Sequence, residues 1–144
     1  MKIISISNQK GGVGKTTTAV NLAQAIAATN RKTLLIDLDP QGNASTASGA
    51  TKNNSLFETT LGKHASELIQ TSSNQYDVLA GGEDLVALEV ALRNNPTKGH
   101  IAKSLKELDY DFVFIDTPPS LNSLTLDALI SSDGTLIPLQ CEYY

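Results

Sequence analysis

Gln9-Lys10-Gly11-Gly12-Val13-Gly14-Lys15-Thr16-Thr17 concentrates glycines, lysines and threonines directly after an apolar run. Binding a triphosphate needs backbone N–H groups turned inward around the phosphates, and glycine alone tolerates the positive φ angles and close approach this demands. A helix starting at the end of such a loop adds its positive dipole end. In this pattern Lys15 bridges the β- and γ-phosphates and the Thr16 hydroxyl ligates Mg²⁺. The match is not regular. The usual phosphate loop, G-x-x-x-x-G-K followed by Ser or Thr, wants glycine at position 9, where Gln9 stands, although Gly14-Lys15-Thr16 is intact. A dinucleotide-type G-x-G-x-x-G fails too, because Thr17 occupies its third glycine position. The chain instead has an extra lysine, Lys10, directly ahead of two glycines.

Three carboxylates extend the chemistry. Asp116 ends the apolar run Phe112-Val113-Phe114-Ile115 and is followed by Thr117-Pro118-Pro119. That placement suits a carboxylate holding the Mg²⁺ shell through water, or one that only caps a turn. Asp37 and Asp39 are separated by one residue, so on an extended chain they face the same side. Near a metal they could divide the work, one orienting its shell and one the attacking water. Asp37 alternatively only satisfies nearby donors. His64 and His100 have no partner at metal-ligand spacing. Cys141 lacks a nearby His or a second Cys, so a buried or structural thiol is expected.

These groups need rigid elements behind them. Ile3-Ile4-Ser5-Ile6 reads as a buried strand, and Thr16 to about Thr29 as a helix whose apolar face includes Val20, Leu22, Ala23, Ile26 and Ala27, with Asn30 as its stop. Thr33–Ile36 is a second strand, and 40–55, rich in Gly, Asn, Ser and Thr, reads as a mobile loop. Ser66–Gln70 suggests a short helix and Tyr76–Leu79 a strand. Leu85, Leu88 and Leu92, then Ile101, Leu105 and Leu108, mark two helices. Phe112–Ile115 shows no alternation and is expected to be covered on both faces. A helix at Asn122–Ser131 and a strand at Thr135–Leu139 follow. Strand–helix alternation of this kind implies an α/β fold: a doubly wound, mostly parallel sheet with flanking helices, in a single domain over 1–144.

Composition narrows the classes. The chain has 144 residues, 40% hydrophobic and 18% charged, which excludes disordered, collagenous and disulfide-rich chains. No apolar run approaches the ~18–20 residues of a membrane span, and the N-terminus lacks a signal-peptide pattern. Charge is uneven: residues 1–72 carry seven Lys/Arg against four Asp/Glu, and residues 73–144 four against eleven, for −4 in all. An acidic chain without a Lys/Arg cluster is poorly suited to neutralising nucleic-acid phosphates.

Lys-Gly-Gly-Val-Gly-Lys-Thr-Thr at 10–17 resembles the deviant Walker A motif of the ParA/MinD-type ATPases. Asp37-Leu38-Asp39-Pro40-Gln41-Gly42-Asn43, Phe112–Pro119 and Gln140-Cys141-Glu142-Tyr143-Tyr144 are similar to the ParA/Soj branch more narrowly. The resemblance runs from end to end and implies a P-loop NTPase fold and a cytoplasmic, Mg·ATP-dependent ATPase of chromosome or plasmid partitioning. It implies nucleotide contacts from Lys10, Gly11, Gly12, Val13, Gly14, Lys15, Thr16 and Thr17. Metal contacts are expected from Thr16, Asp116 and Asp37, those of the aspartates through water, and catalytic roles for Lys10, Lys15 and Asp39. Lys10 would reach the nucleotide of a partner subunit, Asp39 would position water, and Pro40–Asn43 would be a switch sensing the γ-phosphate. It also implies an ATP-dependent homodimer, a ParB-type activator, and nonspecific, nucleoid-associated DNA binding by a full-length form. Relatives continue for roughly another hundred residues, so weak or no DNA binding is expected of these 144 alone. Two other readings remain: a catalytically incompetent interaction module, and another enzyme of the same loop group, MinD-like or a ligase-type synthetase. No C-terminal amphipathic helix points to a membrane, the lone cysteine argues against nitrogenase iron-protein relatives, and Tyr143-Tyr144 is too short for a tyrosine-kinase cluster.

Overall fold

The computed structural model describes residues 1–52, 55–96 and 99–142, so Tyr143 and Tyr144 lie outside it. Its strands are β1 (Lys2–Ile6), β2 (Thr33–Asp37), β3 (Ile69–Thr71), β4 (Asp77–Leu79), β5 (Phe112–Asp116) and β6 (Gly134–Leu136). They form one sheet in the order β3-β4-β2-β5-β1-β6, parallel throughout except for the antiparallel β3–β4 pair. The helices are α1 (Lys15–Ala27), α2 (Asn43–Ala47), α3 (Leu85–Asn94), α4 (His100–Ser104) and α5 (Ser123–Ser131).

The side chains of β5 show why it lacks alternation. Val113 and Ile115 enter a core shared with Leu85, Leu88, Leu92, Ile101 and Leu124, under α3, α4 and α5. Phe114 enters the opposite core with Ala19, Ala23, Ala27 and Ala44, under α1 and α2. Both faces are therefore covered, as a doubly wound sheet requires. Helix α1 buries a stripe of alanines at four-residue spacing, which lets it lie close on the sheet, while Val20, Leu22 and Ile26 pack at its margins. Asn30, at φ 61°, turns the chain out of the helix.

Five local expectations change. Within 40–55, residues 43–47 form helix α2 rather than loop, because the Ser45 amide and hydroxyl find a buried acceptor in Asp37. The segment 66–70 divides into a 3₁₀ turn at Ala65–Glu67 and strand β3, which pairs with β4. The helix through Ile101 and Leu105 ends at Ser104, and Leu108 follows in a turn whose amide bonds the Leu105 carbonyl. Strand β6 stops at Leu136, level with Ile6 at the end of β1, and Pro138 lies beyond it. Cys141 is exposed, not a buried thiol.

One tertiary contact holds the short helix α4 in place. Asp127 of α5, 5% exposed, accepts hydrogen bonds from the amides of Gly99, His100 and Ile101, each at 2.9 Å. A carboxylate there satisfies three orphan donors and opposes the helix dipole. Asp127→Ala leaves them buried without an acceptor, and is expected to lower unfolding free energy by about 2–3 kcal/mol, read from urea denaturation. A loss under about 0.5 kcal/mol would show that the contact does not hold α4.

Candidate functional site

The loop after β1 takes the backbone form its glycines require. Gly12 and Gly14 have φ of 72° and 90°, and Gly14 is the left-handed residue from which α1 starts. A Cβ at Gly11, Gly12 or Gly14 would meet nothing within 4 Å, so they border open space. Lys15, 8% exposed, folds back over the loop and donates from Nζ to the Lys10 carbonyl at 3.2 Å. The Lys10 side chain is exposed at the loop's mouth, and Gln140 Nε2 donates to the Gly12 carbonyl at 3.0 Å. Gly11, Gly12, Gly14, Lys15, Thr16 and Thr17 line a cavity of about 370 Å³ together with Asp39, Asn43, Thr117 and Pro119. It lies at the carboxyl ends of β1, β2 and β5, where open α/β sheets bind ligands.

Asp37 and Asp116 are register partners at the ends of β2 and β5, and both are buried. Their surroundings differ. Asp37 Oδ1 accepts from the Asp39 amide at 3.0 Å, and its Oδ2 from the Ser45 amide and hydroxyl at 2.8 and 2.7 Å. It satisfies nearby donors, which take three of the about four acceptor positions of a carboxylate, and it is fully buried. Burial raises its pKa, partly offset by the Ser45 hydroxyl. Asp116 Oδ2 accepts from the Thr16 hydroxyl at 2.7 Å, while Oδ1 has no hydrogen-bond partner among the described residues. Burial pushes Asp116 up to about 7, the Thr16 hydroxyl opposes that, and the charges of Asp37 and Asp39 add to it. Asp39 lies beyond the strand end, where the chain turns, so it no longer shares a face with Asp37: it lines the cavity, and its Oδ1 accepts from the Gln41 amide at 2.9 Å.

A buried carboxylate oxygen with no donor, beside a threonine hydroxyl and a cation-rich loop, is a hard-oxygen set suited to Mg²⁺. No cluster of three or more His, Cys, Asp or Glu occurs among the described residues. Mg²⁺ does not require one, since it is usually held by one or two carboxylates, a hydroxyl, water and substrate phosphates. His64 and His100 lie away from this site, beside another surface cavity. Sequence reasoning missed Thr117 and Ser45. Thr117 follows a carboxylate at a strand end, which was a usable signal; Ser45 gave none, because its role depends on the fold of α2.

A strand–loop–helix with positive-φ glycines, a buried lysine and strand-end carboxylates, on a mostly parallel sheet, defines the P-loop NTPase fold class. The chain belongs to the AAA domain family, which it matches over residues 1–144. It is similar to the chromosome partitioning protein ParA of Myxococcus xanthus, 46% identical over 99% of this chain and 53% of that protein. It is likewise similar to the chromosome-partitioning ATPase Soj of Thermus thermophilus, 41% identical over 98% of this chain and 55% of that protein. The chain thus spans a little over half the length of these relatives. Among solved structures, the cobyrinic acid a,c-diamide synthase of Mycobacterium smegmatis with bound ATP analog and magnesium superposes with a TM-score of 0.93, at 34% identity, covering 99% of this chain and 62% of the other.

The raised pKa values of Asp116 and Asp37 set a pH signature. Between about pH 4 and 7 these two carboxylates hold more protons in the folded chain than in the unfolded one, so their contribution to stability falls as pH rises across that window and then levels off, while His100, whose pKa burial lowers, contributes in the opposite sense. Relative to Asp116→Asn, the melting temperature of the Mg²⁺-free wild-type chain is expected to decline from pH 5 to 8. Parallel profiles for wild type and variant would refute the assignment.

Proposed function

We propose that the chain is the nucleotide-binding part of a ParA/Soj-type partitioning ATPase, with ATP and Mg²⁺ as its ligands. The observation that supports this reading is Asp116: its Oδ1, without a partner among the described residues, and its bond to Thr16 lie beside a loop whose Gly12 and Gly14 have positive φ. The identities to ParA and Soj proteins support the biological role. Lys15 would grip the phosphates, the amides of Gly11 to Thr17 would cradle them, and Thr16 and Asp116 would hold Mg²⁺. Asp37 fixes the adjoining turn and would join the metal shell only through water. Bound Mg²⁺ would supply charge neutralisation at the phosphates. Asp39, lining the same cavity, would position the attacking water.

The wider cycle belongs to the same proposal. Two ATP-bound copies would dimerise, with Lys10 of each reaching the other's nucleotide and supplying charge in trans. A ParB-type protein would stimulate turnover in a cytoplasmic, nucleoid-associated full-length form. DNA binding by these 144 residues alone would be weak or absent, given the net charge of −4. Among the described residues no helix is long and apolar enough to cross a membrane.

One observation favours a second reading, an amide-forming synthetase of the same fold. The superposition on the Mycobacterium smegmatis synthase is close. The higher identity to partitioning proteins, and Lys10 ahead of the glycines, favour the first.

Titration with a fluorescent ATP analogue is expected to show saturable binding that needs Mg²⁺. Lys15→Ala should weaken it about 10- to 100-fold, the worth of one charge-assisted phosphate contact. No saturable binding would instead support a nucleotide-free interaction module, and an unchanged Lys15→Ala would remove Lys15 from the site.

A further inference from the structure

Lys52 stands eleven residues beyond Gln41 and belongs to none of the motifs, yet it lies against the Asp39–Asn43 turn. Its Nζ donates to the Gln41 carbonyl at 2.7 Å. Its methylene stem covers Gly42 so closely that a Cβ there would come within 2.7 Å of Lys52 Cδ. Its own carbonyl lies against Gly82, where a Cβ would approach to 2.9 Å. Lys52, an exposed residue, thus lies along the Gly42 turn with its stem and against Gly82 with its backbone carbonyl, and the latter approach leaves no room for a side chain at position 82.

The peptide unit it touches matters to the cavity. Gln41 donates its amide to Asp39 Oδ1 at 2.9 Å, and Gly42 donates its amide to the Asp39 carbonyl at 2.9 Å. The Gln41 carbonyl belongs to the same peptide plane as the Gly42 amide. Gly42, at φ 64°, is the residue around which that plane can flip at least cost. Fixing the carbonyl therefore fixes the Gly42 amide, and through the tightened turn the direction of the Asp39 carboxylate.

We propose that Lys52 is a positioning residue of this site, a clasp that locks the Gln41–Gly42 peptide so that Asp39 faces the cavity. It acts through Asp39 and not on the nucleotide. The proposal rests on the ATPase reading given above. It adds to that reading a control point: whatever draws the Lys52 ammonium away, a competing anion or a movement of the Gly81-Gly82 turn, releases the Asp39 segment.

The test compares wild type with Lys52→Met, which keeps the stem and removes the donor, and Lys52→Arg, which restores a donor. Amide exchange of the nucleotide-free chain is read at Gln41 and Gly42. Lys52→Met should speed it about 3- to 10-fold, as losing one net hydrogen bond implies, and Lys52→Arg should restore it. Exchange at β5 amides should not move, which separates a local release from partial unfolding. In the ATPase assay Lys52→Met should lower kcat several-fold with KM within twofold of wild type. Unchanged exchange at Gln41 and Gly42, or a change confined to KM, would overturn the clasp. Absence of Mg²⁺-dependent nucleotide binding by wild type would overturn the ATPase reading and its catalytic corollary, while the exchange measurement still decides whether Lys52 locks the turn.

Discussion

Two carboxylates ending adjacent parallel strands constrain everything at this edge of the sheet. Asp37 and Asp116 face each other in register and are buried together. Neither can be ionised there cheaply: burial raises both, the charge of Asp39 adds to the rise at Asp37, and the charges of Asp37 and Asp39 add to it at Asp116. The fold resolves the conflict unequally. Asp37 receives three donors and organises its neighbourhood. Among the described residues Asp116 receives one, from Thr16, and its Oδ1 has no partner. Burying a polar atom without a partner opposes folding, so its retention is more readily understood as a site cost than as a structural gain.

The donors around Asp37 are also what join the chain segments. The Ser45 hydroxyl donates to Asp37 and accepts the Gly81 amide at 2.8 Å. The exits of β2 and β4 and the start of α2 are thereby tied to one carboxylate. Gly81 fits because a Cβ there would come within 2.7 Å of the Asp39 carbonyl and 2.8 Å of the Asp37 carboxyl carbon. A side chain at position 81 would push the Asp39 turn and the exit of β4 apart. The segment carrying Asp39 is therefore held on one side by Gly81 and on the other by Lys52, and its position relative to the phosphate loop is a property of tertiary packing.

This explains what the sequence did and did not disclose. Local rules sufficed for the loop: positive φ at Gly12 and Gly14 follows from glycine's freedom, and the helix from the alanine-rich stripe behind it. They sufficed for β5, whose unbroken apolar run requires two covered faces. They failed where a long-range partner overrides propensity. Asn43–Ala47 is a poor helix by composition and forms one because Asp37 accepts its amide. Ile69–Thr71 is too short to show a period and is a strand because β4 offers an edge. The expectation that Asp37 and Asp39 share a face assumed an extended chain, which ends at Asp37. Cysteine's tendency to be buried did not apply to Cys141, which lies past the last strand.

The two lysines of the loop show how little residue type says without position. Lys10 is exposed, whereas Lys15 is buried at the start of α1. Fixing carbonyls matters as much as placing the ammonium. The Gly12 carbonyl is held by Gln140, and the Gly14 carbonyl by the Thr18 amide and hydroxyl at 2.9 and 2.7 Å. In a trans peptide the next N–H points opposite to its carbonyl, and the chain has no cis bonds among the described residues. Anchoring these two oxygens therefore sets the directions of the Val13 and Lys15 amides before any ligand arrives. The Lys15 ammonium, meanwhile, is occupied by the Lys10 carbonyl at 3.2 Å, a longer and weaker bond than a charge-assisted contact to phosphate. An anion entering the loop would find these amide directions already fixed and the buried Lys15 ammonium held loosely enough to change partners.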